Sequence, residues 1–313
     1  MRTRSLLAAV LLALPATGVA HATATSPNPA APPNVTAQQC GTLAGALTAN
    51  GSVKVQDFFA TTPPSSTVDR TETPELFGPG QVRLPGSAAY DADYLEGSSR
   101  SGWMVLGDAM YSVSWFVLNE TFDVEPGSFK TTKVGGGWGA FTAIETSRFD
   151  DSRGHARTTE YGLRGDGNLY RWTIDGKGVW HSTGVAPGFA SVKTFTLISQ
   201  TPTYDTLLAN TRSGGLYTIH IPTTAAMKPV VKNLRTSTWQ GFESLQAHRC
   251  GQYGTLLLAI DKDSDAGYLY AIGHANGAST VIQNRGKVPA TFNEPILFNW
   301  VAPAGYDLPP YGE

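Results

Sequence analysis

Short apolar runs, many of them alternating with polar residues, recur along the whole chain after residue 40 and are bounded by Gly, Asp, Asn and Pro. A period of two places alternate side chains on one face of a β-strand, whereas an amphipathic helix needs a period near 3.6. Long helical periodicity is hard to find beyond residue 40. The pattern therefore predicts an all-β fold.

One element, a glycine-containing turn followed by a strand, is repeated along the chain. Its tyrosines, at positions 111, 170, 217 and 270, lie 59, 47 and 53 residues apart. Each copy follows another apolar run, and glycine in the turn supplies the positive φ of a tight hairpin, so each pair predicts a β-hairpin. The copies occupy residues 107–113, 165–172, 213–219 and 266–272, with a fainter one at 50–55.

A second marker, a phenylalanine that leads into a strand, keeps the same interval. Its copies Phe141, Phe189, Phe242 and Phe292 lie 48, 53 and 50 residues apart, and a weaker fifth member occupies residues 81–84. Two markers with a common interval of about 50 residues match the four-stranded blade of a propeller. We therefore predict a five-bladed β-propeller, in preference to a two-domain β protein.

The phase of the repeat also predicts how the fold closes. The chain opens with the hairpin part of a repeat, near residues 40–58, and its last lead-in strand covers residues 294–300. Pairing of these two segments would remove two open sheet edges. We expect one propeller domain over residues 40–301, followed by a C-terminal tail at 302–313.

The first 39 residues have a different composition. Two arginines, a short apolar run and the small-x-small pattern at 20–22 are typical of a secretory signal peptide over residues 1–22. Residues 23–39 are rich in Pro, Ala and Thr, as in a flexible leader. In an extracellular chain, the two cysteines, Cys40 and Cys250, predict one disulfide that fastens the two ends of the repeat array.

The lead-in with Trp three residues before Phe, at Trp138 and Trp239, and the sequence Gly-Asp-Gly-Asn-Leu-Tyr at 165–170 resemble the tachylectin family of five-bladed propeller lectins. Departures are visible: the first repeat has Val53 in place of Leu-Tyr, and Phe189 and Phe292 lack the tryptophan. The resemblance implies a secreted protein that binds N-acetylated sugars or cell-surface glycans in pockets around the ring, without catalysis.

Sugar binding needs an aromatic face for the apolar side of the ring and fixed polar groups for its hydroxyls. Two groups of residues are candidates, and the alternative for every aromatic among them is ordinary packing between strands. The first group is Trp103 with Asp108, and the second is Trp138 and Trp239 with Asp166 and Asn168.

Two other functions remain open. A glycoside hydrolase needs two carboxylates in one central pocket, for which the candidates are Glu145, Glu243 and Glu294, with Asp91 and Asp93 near the first repeat. The other open function is a scaffold that binds a protein partner.

Alternating aspartates at Asp261, Asp263 and Asp265 suggest a calcium site, although a polar hairpin turn explains them better.

Charge excludes one large class of partner. The formal net charge is -2, which gives no electrostatic attraction to polyphosphate, so nucleic acid is not an expected ligand. No segment after the signal is apolar enough to span a bilayer, and no cofactor motif occurs, so we expect neither a membrane span nor a cofactor. The oligomeric state is left open.

Overall fold

The computed structural model describes residues 40–91, 95–151, 154–224, 226–301 and 309–313. Within those residues all helical or strand structure is β-strand, as the apolar pattern predicts. The expected signal peptide, the leader and Asp93 lie outside the described residues. In the described part of the chain, no helix has the length and apolar character needed to cross a membrane.

The described residues contain 22 strands, which we group by their pairing into five units called modules 1 to 5. Module 1 consists of β1 (Gly41–Leu47), β2 (Val53–Phe59), β3 (Ser65–Ser66), β4 (Arg70–Glu72) and β22 (Ile296–Val301). Module 2 consists of β5 (Val82–Pro85), β6 (Ala88–Asp91), β7 (Gly97–Leu106), β8 (Ala109–Leu118) and β9 (Lys130–Gly136). Module 3 consists of β10 (Phe141–Asp150), β11 (Ala156–Arg164), β12 (Leu169–Ile174) and β13 (Trp180–Ala186). Module 4 consists of β14 (Val192–Gln200), β15 (Tyr204–Thr211), β16 (Leu216–Pro222) and β17 (Val230–Arg235). Module 5 consists of β18 (Ser244–Cys250), β19 (Gly254–Asp261), β20 (Ala266–Ile272) and β21 (Ile282–Thr291).

Modules 3, 4 and 5 are each a four-stranded antiparallel sheet in chain order. Modules 1 and 2 are joined in one ten-stranded sheet, because β22 continues into a short parallel pairing with β6, where Trp300 is opposite Ala88. The equal spacing of the repeats does not predict this junction, since it depends on the inserted strand β6.

The two ends of the repeat array pair with each other. Strand β1 is antiparallel to β22, with Ala44 opposite Asn299 and Leu47 opposite Ile296. This is the pairing that the phase of the repeat predicts. It covers one edge of β1, while β2 covers the other.

The lead-in strand of each module is here called its inner strand, and the five inner strands are β22, β5, β10, β14 and β18. Strand β5 contacts β10, β10 contacts β14, β14 contacts β18, β18 contacts β22, and β22 contacts β5, so the contacts return to their starting strand. In the described residues five hydrophobic clusters lie between successive modules. Representative pairs are Met104 with Trp300, Val105 with Phe141, Leu163 with Leu207, Leu208 with Leu257, and Leu258 with Phe58.

Consecutive residues of a strand in the middle of a module pack into the interfaces on its two opposite faces. Leu207 packs toward module 3 and Leu208 toward module 5, and both are fully buried. Strands buried on both faces have continuous apolar sequences rather than a clean alternation. This burial explains the apolar runs at 206–209 and 255–260.

An aromatic residue ahead of each inner strand docks on the hairpin turn of the preceding module, and this docking residue is Trp138 or Trp239 where the lead-in has a tryptophan. The amide of Trp138 donates to the Asp108 carbonyl (3.0 Å), and the amide of Phe292 donates to the Asp265 carbonyl (3.0 Å). Phe189 and Trp239 donate in the same way to Gly167 (2.9 Å) and Gly214 (3.0 Å). The recurrence of the aromatic lead-in therefore comes from packing between modules, and Phe189 and Phe292 occupy the position of the tryptophans rather than that of Phe141 and Phe242.

The marker of module 2 is Phe77, which the sequence analysis missed. Its amide donates to the Gly51 carbonyl (3.2 Å), and its ring is 4% exposed. Residues 81–84, given above as the weaker fifth member, belong largely to strand β5, which follows the marker. The available signal was the spacing, because Phe77 follows Gly51 by 26 residues and Phe292 follows Asp265 by 27.

The predicted disulfide is present. Cys40 and Cys250 are bonded, with Cα atoms 5.3 Å apart, and join the start of β1 to the end of β18. The bond therefore links modules 1 and 5 beside the β1–β22 pairing. Among the described residues no cysteine is free.

Candidate ligand-binding site between the inner strands

A cavity of about 210 Å³, here called the central cavity, lies between the inner strands. All five modules contribute to its wall, so it exists only when the inner strands are assembled. Its lining consists of residues 83–87, 142–145, 194–195, 243–246 and 295–299, with Lys262.

Two buried amide side chains line the central cavity with unused hydrogen-bonding atoms. Gln246 is 1% exposed, and neither its Nε2 nor its Oε1 has a partner among the described residues. Asn299 donates from Nδ2 to the Ala247 carbonyl (3.0 Å), whereas its Oδ1 has no partner there. An unpaired buried polar group costs about 1–3 kcal/mol. All three atoms are closed to solvent, so a ligand in the cavity would reach them only after the two side chains turned toward it.

Glu145 reaches the wall of the central cavity from β10 with both carboxylate oxygens engaged. Oε1 accepts from the Ser87 hydroxyl and from the Thr146 amide (3.0 Å), and Oε2 accepts from the Leu197 amide (3.3 Å). Burial raises the pKa of Glu145, although these hydrogen bonds oppose the increase. The side chain thereby ties β10 to β14 and to the segment that connects β5 and β6.

The other two carboxylates predicted for a hydrolase have separate surroundings. Glu243 lines the central cavity, where it bonds to the Lys193 ammonium and accepts from the Lys262 amide (2.8 Å). Glu294 pairs with Lys54 (3.0 Å) and lines a different, smaller cavity of about 30 Å³ between modules 5 and 1. The structure therefore brings Glu145 and Glu243 to one cavity and leaves Glu294 outside it. Asp91 ends β6.

The two cationic side chains of the cavity lining already donate to main-chain carbonyls. Arg83 bonds to the carbonyls of Gly107 (3.2 Å), Phe141 (2.7 Å) and Trp138. Lys262 Nζ bonds to the carbonyls of Phe292 (3.2 Å) and Glu294. These contacts hold β5 and the β19–β20 turn to the segments that precede the next inner strands.

The tryptophans expected to stack on sugars are packed between modules. Trp138 is 6% exposed, with its ring centroid 4.6 Å from that of Phe141 and 4.9 Å from that of Trp172. Trp239 is 5% exposed and lies 4.8 Å from Tyr270. A sugar can stack on either indole only if these ring pairs separate. Ordinary packing accounts for both residues.

Trp103 and the polar residues expected beside the tryptophans lie outside the central cavity. Trp103 is half-buried, under the Arg148 guanidinium (4.9 Å) and against Trp180 (6.0 Å). Asp108 accepts from the Gly139 amide, and Asp166 accepts from the Asn168 amide (3.1 Å). Asp108 thus joins the β7–β8 turn to the segment before β10, and Asp166 stabilises the β11–β12 turn.

The aspartates considered for calcium also form a turn. Asp261 Oδ1 accepts from the amides of Asp263 (2.9 Å) and Ser264 (3.2 Å), and Asp265 has a positive φ of 50°. In the part of the chain that the structure describes, no group of three or more His, Cys, Asp and Glu side chains is placed to hold a metal ion.

A second, smaller cavity of about 70 Å³ continues along the inner strands on the other side of Ser87 and Asn299, which line both cavities. Pro309 and Pro310 line it, and the segment 309–313 packs on module 4. The Gly312 amide donates to the Ile198 carbonyl (2.8 Å), and Glu313 bonds to His220 Nδ1 (2.9 Å). Pro309 and Pro310 thereby form part of the wall of the second cavity.

Sequence reasoning missed Ser87, Gln246 and Asn299. A usable signal was present, because Gln246 and Asn299 each interrupt an apolar strand, in Leu-Gln-Ala and Phe-Asn-Trp. A polar residue on a strand that is otherwise buried needs a partner or a ligand.

No protein-family model matches the chain, and no curated protein matches it. Among solved structures, the SapL1 lectin in complex with alpha methyl fucoside is similar with a TM-score of 0.47 at 10% identity, over 85% of each chain. AofleA from Arthrobotrys oligospora has a TM-score of 0.39 at 11% identity, over 86% of this chain and 91% of that chain. The catalytic domain of a GH62 alpha-L-arabinofuranosidase from Coprinopsis cinerea has a TM-score of 0.42 at 15% identity, over 75% and 78%.

Proposed function

We propose that the five modules are the blades of a β-propeller closed by the β1–β22 pairing, and that the protein is a secreted carbohydrate-binding protein. The cyclic contacts of the inner strands and the clusters between successive modules support the propeller. The disulfide is compatible with secretion. The central cavity, rather than the packed tryptophans, is the proposed binding site.

The observation that carries this proposal is the central cavity, to which all five modules contribute and whose lining includes the buried amide side chain of Gln246. A buried primary amide both donates and accepts, as the recognition of sugar hydroxyls requires. Phe195 and Phe298 also border the cavity, with their side chains buried in the clusters between modules. Few polar groups in a mostly preformed concave site are the usual features of a small-ligand pocket.

Replacement of Gln246 by leucine tests the proposal. We expect the wild-type protein to bind members of a glycan array, and we expect Gln246→Leu to bind them at least about tenfold more weakly, because the ligand loses an amide partner. Gln252→Leu is the matched control, since Gln252 is exposed in the turn before β19 and lies outside the cavity lining. Absence of glycan binding by the wild-type protein contradicts the proposal.

A glycoside hydrolase is the second candidate, because Glu145 and Glu243 line the same cavity and burial raises the pKa of Glu145. A carboxyl group with a raised pKa beside a second carboxylate is the arrangement of a general acid and its partner. Incubation with 4-nitrophenyl glycosides distinguishes the two functions. The binding proposal predicts no release of nitrophenol. Release that falls about 100-fold or more in Glu243→Gln would replace binding by catalysis.

A further inference from the structure

We infer that modules 4 and 5 together form a recognition site for an extended peptide in which glycine precedes an acidic residue, and that residues 309–313 occupy this site in cis. The surface of the two modules on which this segment lies is here called the docking surface. The residues that carry the inference differ from the lining of the central cavity, so it is independent of the proposed carbohydrate binding.

Main-chain hydrogen bonds hold the segment along a sheet edge. Among the described strands, β14 pairs only with β15, which leaves its other edge open. On β14, the Gln200 amide donates to the Pro310 carbonyl (3.0 Å), and the Ile198 carbonyl accepts from the Gly312 amide (2.8 Å). In module 5, the Ala275 amide donates to the Gly312 carbonyl (2.6 Å). An open edge gives affinity for an extended peptide, whereas selectivity comes from the surroundings of its side chains.

The position of Gly312 accepts only glycine. Gly312 is buried, and a β-carbon at this position would lie 2.5 Å from the hydroxyl oxygen of Thr255 and 2.9 Å from the carbonyl oxygen of Ile198. The second of these atoms belongs to the main chain of a buried strand and cannot easily move away. Close approach of two backbones therefore selects glycine here.

The next position binds a carboxylate. Glu313 Oε2 accepts from the Thr206 hydroxyl (2.5 Å) and bonds to His220 Nδ1 (2.9 Å). Glu313 Oε1 lies 3.4 Å from Lys232 Nζ, and the Glu313 side chain is 9% exposed. Burial opposes ionisation of Glu313, yet the contacts with Thr206, His220 and Lys232 lower its pKa below the usual value. The docking surface is therefore built for a negative charge at this position.

The segment can leave the docking surface without breaking the core. Its residues belong to none of the hydrophobic clusters in the described part of the chain. Its pairing with β14 is an isolated bridge between Ser199 and Tyr311 rather than a ladder. Ile198 and Ala275, by contrast, are fixed in the cluster between modules 4 and 5. The docking surface thus persists when the segment departs, and it can accept a second peptide of the same chemistry.

A displaced segment and a labelled peptide test this inference. In the double variant Gly312→Val with Glu313→Lys, the segment should lose both selective contacts and vacate the docking surface. We expect this variant to bind a fluorescein-labelled Pro-Pro-Tyr-Gly-Glu peptide, amidated at its C-terminus, at least about tenfold more tightly than the wild-type protein, whose surface is occupied. Fluorescence anisotropy measures binding, and a cooperative thermal transition shows that the variant is folded. Glu313→Gln is the milder second variant if the double variant does not fold.

Altered peptides and a surface variant test the selectivity. Peptides with valine in place of glycine, or glutamine in place of glutamate, should bind the double variant at least about tenfold more weakly than the parent peptide. Added to the double variant, Lys232→Met should weaken binding of the parent peptide about two- to fivefold, as expected for a partly exposed ion pair. Lys228→Met is the matched control, because Lys228 is exposed and makes no contact with the segment among the described residues.

Each outcome decides the inference. A folded variant that binds the peptide no better than the wild-type protein overturns it, as does equal binding of the glycine and valine peptides. If neither variant folds, the segment is an integral part of the fold and not an exchangeable occupant. If the wild-type protein is a dimer that the folded variant does not form, the occupant is the segment of a second copy, and recognition of a separate peptide is wrong.

Discussion

Substitution of both Cys40 and Cys250 by serine lowers the free energy of unfolding by about 5 kcal/mol. The disulfide closes a loop with a sequence separation of 210 residues. In the chain-entropy account a cross-link restricts the unfolded chain more as the loop lengthens, and a loop of this length gives about 5 kcal/mol. The bond spans modules 1 and 5, where the two ends of the repeat array meet, so its loss releases both ends together.

Equilibrium unfolding in guanidinium chloride measures this effect. The double serine variant should have a lower midpoint than the oxidised wild-type protein and should coincide with the wild-type protein under a reducing agent. The reduced wild-type protein is thus the matched control, because it has the same sequence without the bond. An unchanged midpoint would show that the β1–β22 pairing and the clusters between modules hold the ends together without the cross-link.

Substitution of Glu160 by glutamine removes much of the dependence of stability on pH between about 5 and 9. Glu160 lies on β11, is fully buried, accepts a hydrogen bond from the Thr146 hydroxyl (2.7 Å), and has an unpartnered Oε1 among the described residues. Burial, together with the nearby Glu145 carboxylate, raises the pKa of Glu160 to about 8, and the Thr146 hydrogen bond and Arg148 only partly oppose this. The group is therefore neutral in the folded protein at pH 7.

The sign of the effect follows from the two pKa values. Below pH 4.5, the ordinary value for Glu, the group is protonated in both the folded and the unfolded chain. As the pH rises toward 8 the unfolded chain loses this proton first, so the folded state loses stability at up to about 1.4 kcal/mol per pH unit. Glutamine is neutral throughout and avoids this loss. Glu160→Gln should consequently be more stable than wild type by several kcal/mol at pH 9, with little difference at pH 4.5.

Guanidinium unfolding at a series of pH values checks this prediction. Glu120→Gln is the matched control, since Glu120 is exposed in a turn and should leave the profile unchanged. Glu145, whose pKa burial also raises, accounts for a slope that remains in the variant. Identical profiles for Glu160→Gln and the wild-type protein would show that Glu160 is ionised in the folded state.

Features that depend on local chain geometry were predictable from the residues alone. Glycine turns before Leu-Tyr strands predict hairpins, and the interval of about 50 residues predicts repeated four-stranded units. The phase of that interval also predicts the pairing of β1 with β22, which the register of Ala44 with Asn299 shows. Cys40 and Cys250 were predicted to bond because an exported chain with two cysteines has one simple pairing.

The candidate site was less accessible to this reasoning. Trp138 and Trp239 have the residue type of a sugar platform, yet a stacked aromatic and a packed aromatic have the same sequence signature. Only the contacts with Phe141, Trp172 and Tyr270 distinguish them. Gln246 carries no motif, and its importance comes from burial without a partner.

The residues by themselves determined the strand class, the length of the repeat, the phase that pairs its two ends and the disulfide. These properties arise from alternation, turns and spacing, which can be identified from the order of the residues along the chain. Only the tertiary structure decided that β22 joins modules 1 and 2 in one sheet, that Phe77 is the missing marker and that Gln246 and Asn299 share a cavity. Those properties depend on which distant strands become neighbours and on the space left between them. Neither is a property of any single segment.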